Sequence, residues 1–213
     1  MSKLIIRNEM ENDYGTVENI TRNAFWNINV PGCCEHYLAH ILRRHKDFIS
    51  ELDLVAELDG RIIGNIMYTK AALIDETGEE KEILTFGPVC IAPEFQRRGY
   101  GKRLIEYSLK KAAEMGYGAV VIFGYPSNYI SIGFKSCKKY NVSVSGGGYP
   151  CAMLVKELAD GFLDGGKWVY RESAAYDFDE KDAEEYDKKF PPKEKGYRKS
   201  QEEFYIYSRS VLK

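Results

Sequence analysis

The sequence predicts an α/β fold with a mixed, mostly antiparallel, twisted sheet flanked by helices. From position 53 to 91 apolar and polar residues alternate, and turn-forming residues at 59–60 and 75–78 divide this run into three strands of an antiparallel meander. Apolar residues recur at helical spacing before the meander and again over 99–115. The continuous apolar run 119–123 then indicates a buried strand, parallel to the strand that precedes the last of these helices.

The elements before the meander follow in chain order. A short strand is expected at 4–7, and Asn12 or Asp13 is in position to cap a first helix that runs to about residue 25. A break at Pro31-Gly32 separates this helix from a second one, predicted over 35–44. Two helices therefore precede the main strands.

The elements after residue 123 are less regular. Segments 141–145 and 152–156 are expected to pair as the closing strands, joined by the glycine loop 146–148. Beyond residue 165 charged residues and tyrosines dominate, and Asp179 is expected to start a helix that ends before Pro191. We expect one main domain over residues 1–168 and a C-terminal extension, 169–213, packed on it; an exposed interaction arm is the alternative reading of the extension.

Composition limits the classes of function. The formal net charge of −2 gives no electrostatic reason to expect a nucleic-acid partner. No apolar run approaches the roughly 18 residues of a membrane span, and the first residues turn polar too soon for a secretory signal. The five cysteines lack the even spacing of a disulfide framework and read as reduced thiols. A cytoplasmic protein without a membrane partner is expected.

The segment 88–102, Pro-Val-Cys-Ile-Ala-Pro-Glu-Phe-Gln-Arg-Arg-Gly-Tyr-Gly-Lys, carries the chemistry. A strand ends in it, a loop with two arginines follows, and two glycines open a long helix. Unpaired backbone N–H groups and the positive end of the helix dipole therefore converge on one place. Glycine lets a ligand approach the backbone closely, and the basic side chains add charge, so the segment predicts a cradle for a pyrophosphate group.

Two common nucleotide-binding motifs are excluded because the residues at key positions do not match them. A Walker loop requires glycine at the position of Gln96 and serine or threonine at the position of Arg103. A Rossmann fingerprint requires a small residue at the position of Leu104 and a βαβ unit rather than an antiparallel meander.

The segment does fit the pattern Q/R-x-x-G-x-G/A, with Gln96, Gly99 and Gly101 in the defining places. A second element, Tyr129 to Phe134, fits Y-x-x-x-G-F. In these two motifs and in the order of its elements from Leu4 to Lys156, the chain resembles the GCN5-related N-acetyltransferase (GNAT) superfamily. The resemblance implies the acyl-CoA N-acyltransferase fold and acetyl-CoA as the acyl donor, with no metal.

The resemblance also implies a set of cofactor-binding residues. Backbone amides of Val89, Cys90 and Ile91 are expected to hold the pantetheine arm and the thioester carbonyl. The pyrophosphate is expected to bind a run of seven consecutive residues: Gln96, Arg97, Arg98, Gly99, Tyr100, Gly101 and Lys102. Asn128 is added as a further contact, although it is equally suited to capping a short helix.

Tyr129 aligns with the general acid of the superfamily, which protonates the leaving thiolate. Its ordinary pKa of about 10 lies close to that of an alkyl thiol. The sequence does not single out a general base, and Glu35 and Glu57 are weak candidates. Cys90 as an acyl-cysteine nucleophile is disfavoured because no histidine lies near it in sequence, so direct transfer is expected.

The acceptor must be sought in the first two helices and the tail. Phe25, Trp26, His36 and Tyr37 are candidates for selecting it, and core packing explains Trp26 equally well. Cys33, Cys34, His36 and His40 lack metal-ligand spacing.

We expect transfer of an acetyl group from acetyl-CoA directly to a primary amine of a small molecule. Protein N-termini or lysines are the second choice, and a catalytically idle acyl-CoA-binding sensor is the competing class. A homodimer is compatible with each of these three readings.

Overall fold

The computed structural model describes residues 3–213; residues 1 and 2 of the expected main domain lie outside this range. Within the described residues the helices are α1 Tyr14–Phe25, α2 Glu35–Leu42, α3 Tyr100–Glu114, α4 Pro126–Tyr129, α5 Glu180–Asp187 and α6 Lys199–Arg209. The strands are β1 Leu4–Asn8, β2 Leu54–Leu58, β3 Arg61–Ile74, β4 Glu80–Ile91, β5 Ala119–Phe123, β6 Lys135–Ser136, β7 Val142–Ser143, β8 Tyr149–Pro150, β9 Met153–Glu157, β10 Trp168–Arg171 and β11 Val211–Leu212.

The main sheet has the strand order β1-β2-β3-β4-β5-β9-β6. Every neighbouring pair on this path is antiparallel except β4 and β5, which are parallel and joined by the crossover helix α3. β3 is much longer than β2, so its second half offers a free edge, and β10 pairs there against residues 72–74. The expected boundary between residues 168 and 169 falls inside β10.

Helices cover both faces of the sheet. On one face α3 buries Leu104, Ile105 and Leu109 against β3 and β5, and the hydroxyl of Ser108 lies 2.8 Å from that of Tyr68. On the other face, α1 and α2 bury Val17, Ile20, Leu38 and Leu42. The sheet is therefore the middle layer of a three-layer sandwich, and the predicted mixed, mostly antiparallel architecture is confirmed.

The β2–β3 hairpin at Asp59-Gly60, the meander and the parallel strand 119–123 lie where they were predicted. Asp13 does occupy the N-cap position of α1, but it caps no helix amide. Its carboxylate accepts from the amide of Met10 at 2.9 Å and pairs with Arg7, and this pairing lowers its pKa. The helix end is thus tied to β1.

The predicted closing strand pair is wrong. Segment 152–156 does form a strand, β9, but β9 pairs with β5 and β6. Segment 141–145 keeps only the two residues of β7, which lie parallel to β10. Apolar alternation indicates a strand without naming its neighbour, and the apolar residues of β9 are buried best beside the equally apolar β5.

The C-terminal extension is attached to α1 and the residue that follows it by largely buried polar contacts. The guanidinium of Arg22, whose side chain is 2% exposed, donates to both carboxylate oxygens of Asp187 at 2.6 and 3.0 Å. The hydroxyl of Tyr186 donates to Glu18 at 2.7 Å, and the indole of Trp26 donates to the carbonyl of Glu194 at 3.0 Å. No helix of residues 3–213 is long and apolar enough to span a membrane.

Replacing Asp187 with alanine leaves the buried guanidinium of Arg22 without its counter-ion. We expect Asp187→Ala to lower the free energy of unfolding by about 3 kcal/mol, measured by urea denaturation. The control is Glu76→Ala, which breaks the exposed Lys167–Glu76 pair and should cost less than about 1 kcal/mol. Equal losses for the two variants would contradict the role given to Asp187.

Candidate functional site

β4 and β5 are neighbours along only a short stretch. Their pairing is limited to Leu84 opposite Val120, whereas β4 pairs with β3 along nearly its whole length. The β3–β4 register shifts where Gly87 and Pro88 together stand opposite Met67, because proline has no amide hydrogen to donate to the ladder. Beyond this bulge β4 leaves an open edge facing the end of β5.

The open edge exposes alternate backbone groups of β4. The amide of Ala92 donates to the carbonyl of Ile63 across the ladder at 2.7 Å, and the carbonyl of Ile91 accepts from the side chain of Gln96 at 2.9 Å. Since backbone groups alternate in direction along an antiparallel strand, the amides of Val89 and Ile91 face the opening and that of Cys90 faces β3.

The thiol of Cys90 is buried under α1. Its Sγ donates to Asn65 at 3.0 Å and lies 3.6 Å from the hydroxyl of Thr21. Burial raises the pKa of this thiol to about 12, so it is not a thiolate at neutral pH. Cys90 therefore packs the strand and is not equipped as a nucleophile.

The loop after β4 ends in a left-handed turn. Arg97 has φ of 59° and Gly99 has φ of 83°, and a left-handed backbone at a residue other than glycine is uncommon. The first amide to bond within α3 is that of Arg103, to the carbonyl of Gly99 at 3.1 Å, and no side chain caps the helix. The amides of the first helical turn therefore point out of the helix end, together with the positive end of its dipole.

A cavity of about 650 Å³ lies between this helix end, the open edge of β4 and α1. Most of the predicted cofactor-binding residues line it: Val89, Cys90, Ile91, Gln96, Arg97, Gly99, Gly101, Lys102 and Asn128. Arg98 and Tyr100 lie outside the lining; Arg98 stacks over the ring of Phe95 at 5.7 Å, and Tyr100 packs against the core. Ala24, Phe25, Ile28, Phe95 and Ser127 complete the wall.

A second cavity of about 490 Å³ adjoins the first. The two share Phe25, Ile28, Val89 and Asn128 in their walls, so they meet where β4 and β5 separate. We call them the helix-end cavity and the aromatic cavity. Tyr129 lines the aromatic cavity beside the shared wall.

Tyr129 is held by close packing. Its ring lies 5.9 Å from that of Phe86 and 5.7 Å from that of Phe134, and a Cβ at Gly124 would stand 2.5 Å from its edge. Burial raises its pKa to about 12, which is higher than the ordinary value assumed from sequence. The hydroxyl therefore stays protonated at neutral pH and is suited to donating a hydrogen bond.

The two carboxylates considered as bases are separated by the fold. Glu57 pairs with Arg7 at 2.9 Å, on β2 and away from both cavities. Glu35, the first residue of α2, is half-buried in the wall of the aromatic cavity, and burial raises its pKa.

Of the aromatic residues of α1 and α2 expected to select the acceptor, only Phe25 reaches a cavity wall. Trp26, His36 and Tyr37 instead contact the C-terminal extension, and the ring nitrogen Nε2 of His36 lies 3.1 Å from Asp187. The thiol of Cys33 lies 3.5 Å from the other ring nitrogen of His36, but residues 3–213 contain no group of three metal-ligating side chains.

Three of the lining residues that sequence reasoning missed come from α6. Phe204, Tyr207 and Ser208 line the aromatic cavity, although they lie about 75 residues beyond Tyr129 in the chain. Their spacing of three and four along one helix was the only available signal.

Gly99→Ala tests the left-handed turn. A Cβ at Gly99 meets no atom within 4 Å, so the cost is purely conformational, and we expect the free energy of unfolding to fall by about 1–2 kcal/mol. Gly101→Ala is the control, since Gly101 is helical and its Cβ would stand at an ordinary 3.4 Å from Ile91. Urea denaturation should show no loss for this control; similar losses at both glycines would overturn the assignment.

Three comparisons bear on the family. The model of the acetyltransferase (GNAT) family matches residues 22–136, which is more than half of the chain. The uncharacterized N-acetyltransferase YjhQ of Escherichia coli (strain K12) is 30% identical over 86 residues, which are 40% of this chain and 47% of that protein, so the match spans about half of this curated relative.

Two solved structures share the fold. The GNAT family N-acetyltransferase YhbS of Escherichia coli, in complex with CoA, superposes with a TM-score of 0.72 at 24% identity over 84% of this chain and 94% of its own. A GNAT family acetyltransferase of Brucella melitensis, in complex with acetyl-CoA, gives 0.64 at 24% identity over 82% and 98%. With its open β4 edge, its uncapped helix end and its match to the family model, the chain belongs to the acetyltransferase (GNAT) family.

Proposed function

We propose that the protein transfers the acetyl group of acetyl-CoA directly to the primary amine of a small molecule. The observation that carries the proposal is the meeting of the two cavities at the separation of β4 and β5, with Tyr129 beside the junction. One cavity suits the acyl donor, the other an acceptor, and the junction is where a group would pass between them.

The helix-end cavity has the chemistry that a pyrophosphate requires. Free amides of the first turn of α3, the left-handed turn at Arg97 and Gly99, and the side chain of Lys102 offer hydrogen bonds and positive charge. The side chain of Gln96 ties the start of this turn to β4 by donating a hydrogen bond to the carbonyl of Ile91. Two of the structural neighbours were solved with CoA and acetyl-CoA, which agrees with this use of the cavity.

Acetyl-CoA supplies an acetyl group activated as a thioester, so a C–N bond to the amine forms while the C–S bond breaks. The outward amides of Val89 and Ile91 are placed to bind the acyl oxygen as it gains negative charge, a role that the orientation of Cys90 does not favour. Tyr129 begins the reaction protonated, because burial raises its pKa to about 12, and its hydroxyl donates a hydrogen bond to the leaving sulfur. The proton lost by the amine nitrogen ends on that sulfur by way of Tyr129.

The aromatic cavity favours a small acceptor over a protein. It is bounded by α6 of the C-terminal extension as well as by α1, α2 and β4, and its volume is within the range of small-molecule sites. We therefore treat residues 1–168 as the acetyltransferase domain and 169–213 as an extension packed on it.

All five cysteines are free thiols, which agrees with a cytoplasmic location.

Tyr129→Phe tests catalysis. We expect kcat for thiol release from acetyl-CoA, measured across a panel of amines, to fall by about 100-fold while the Kd for acetyl-CoA changes little, because the hydroxyl acts on the leaving group. Tyr107→Phe, on the exposed side of α3, is the matched control. Tight binding of acetyl-CoA without turnover of any amine by the wild type would favour the idle sensor instead.

Arg97→Ala tests the donor site. Loss of one charge-assisted contact should weaken acetyl-CoA binding by about tenfold or more in calorimetry at low salt, and by less at high salt. Lys110→Ala, near the other end of α3 and 77% exposed, should leave the Kd unchanged. A Kd that is insensitive to Arg97→Ala would remove Arg97 from the donor site.

A further inference from the structure

The aromatic cavity has one charged group in a wall that is otherwise uncharged and mostly apolar or aromatic. Besides the ring of Tyr129, six aromatic rings line the cavity: Phe25, Phe86, Phe123, Tyr125, Phe204 and Tyr207. The single carboxylate is that of Glu35, and the lining contains no lysine or arginine.

The carboxylate of Glu35 is not neutralised within the described residues. It accepts from the amide of Cys34 at 3.1 Å and from the side chain of Asn29 at 3.4 Å, and both donors are uncharged. Burial without a cation is reflected in the raised pKa of this carboxyl. A half-buried carboxylate without a cation is stabilised by a positively charged partner, and the cavity beside it leaves room for one.

The outer wall of the cavity is α6, which is fixed at both ends. At its start, Gln201 is buried and donates to the carbonyls of Asn27 and Gly196 at 3.1 and 2.9 Å, and Ser200 donates to the carbonyl of Ile28 at 2.8 Å. These bonds join α6 to the segment between α1 and α2.

At its other end α6 is tied to the opposite side of the cavity. The hydroxyl of Tyr207 donates to the carbonyl of Cys151, and β11 pairs with β8 directly after the helix. The ring of Tyr207 also stacks on that of Tyr125, with centroids 5.4 Å apart. The ring of Tyr207 is therefore held in place on the far side of the cavity.

We propose, on the basis of the function proposed above, that the aromatic cavity receives a primary amine carried on a flat apolar or aromatic body. Glu35 binds the ammonium group, and the rings of α1, β4, β5 and α6 hold the body. Hydrophilic amines and the N-termini of peptides leave these rings without a partner and bind poorly. Phe204 of α6 is a determinant of this specificity.

The same carboxylate completes the proton balance. An ammonium ion has no free electron pair, so one of its three protons must leave before the nitrogen attacks. Glu35 takes that proton and releases it to solvent once the amide has formed. A second proton of the nitrogen passes to the leaving sulfur, and the third stays on the amide.

The specificity test compares three acceptors at saturating acetyl-CoA: phenethylamine, ethanolamine and a hexapeptide with a free N-terminus. We expect kcat/KM of the wild type to favour phenethylamine by at least about tenfold. Phe204→Ala should lower kcat/KM for phenethylamine by about tenfold and leave that for ethanolamine nearly unchanged. Ile206→Ala, on the exposed side of the same helix, is the matched control and should match the wild type. Phe204→Leu replaces Phe204→Ala if the latter does not fold.

The outcomes separate this inference from the proposed function. Equal rates on ethanolamine or the hexapeptide, or a Phe204→Ala effect shared by all acceptors, overturn the aromatic amine and leave acetyl transfer in place. Binding of acetyl-CoA without turnover of any acceptor overturns the function itself.

A binding measurement tests Glu35 without catalysis. In calorimetry without acetyl-CoA, Glu35→Gln should weaken binding of phenethylammonium by about tenfold and leave binding of the uncharged 2-phenylethanol unchanged. Equal affinities of the variant and the wild type for the cation would remove Glu35 from the amine site.

Discussion

Beyond the pair Leu84 and Val120, β4 and β5 no longer hydrogen-bond to each other, because β4 bends at its bulge while β5 remains paired with β9. In most sheets such unpaired backbone groups would hydrogen-bond to another strand or to water. Here the open edge is walled by α1 on one side and the start of α3 on the other. Both cavities exist because this one strand pair is left incomplete.

The two cavities have opposite electrostatic character. The helix-end cavity gathers positive charge from free amides, a helix dipole and basic side chains, whereas the aromatic cavity contains a lone carboxylate. In the proposed function, this difference would direct a polyanionic donor and a cationic acceptor to opposite sides of the junction. Tyr129 lies where the two fields meet, with its ring packed against those of Phe86 and Phe134.

Sequence patterns sufficed where the constraint is local. The Asp59-Gly60 turn, the helical period of α3 and the glycines of the 96–101 motif each depend on neighbouring residues, and each lies where the sequence placed it. They pointed to the proposed donor site because most of the residues assigned to it lie close together in the chain.

The partners of distant segments were beyond such patterns. No pattern in residues 141–156 indicates that β9 pairs with β5 and not with β7, because that pairing depends on which apolar residues of distant segments must also be buried. The aromatic cavity is likewise assembled from α1, α2, β4, β5 and α6, and the pKa of Tyr129 depends on rings that only the fold brings to it. For the same reason sequence gave Glu35 and Glu57 equal standing, and only the fold separates them.

The anchoring of α6 at both ends has an evolutionary consequence. The proposed donor half of the site is formed mainly by the segment from β4 to the start of α3, whereas the outer wall of the proposed acceptor half is a peripheral helix held through a few backbone and side-chain bonds. Residues on the inner side of that helix can change without disturbing the sheet, the helix-end cavity or Tyr129. A lineage with this architecture can acquire new acceptors by drift in its last helix while its acyl donor stays constant.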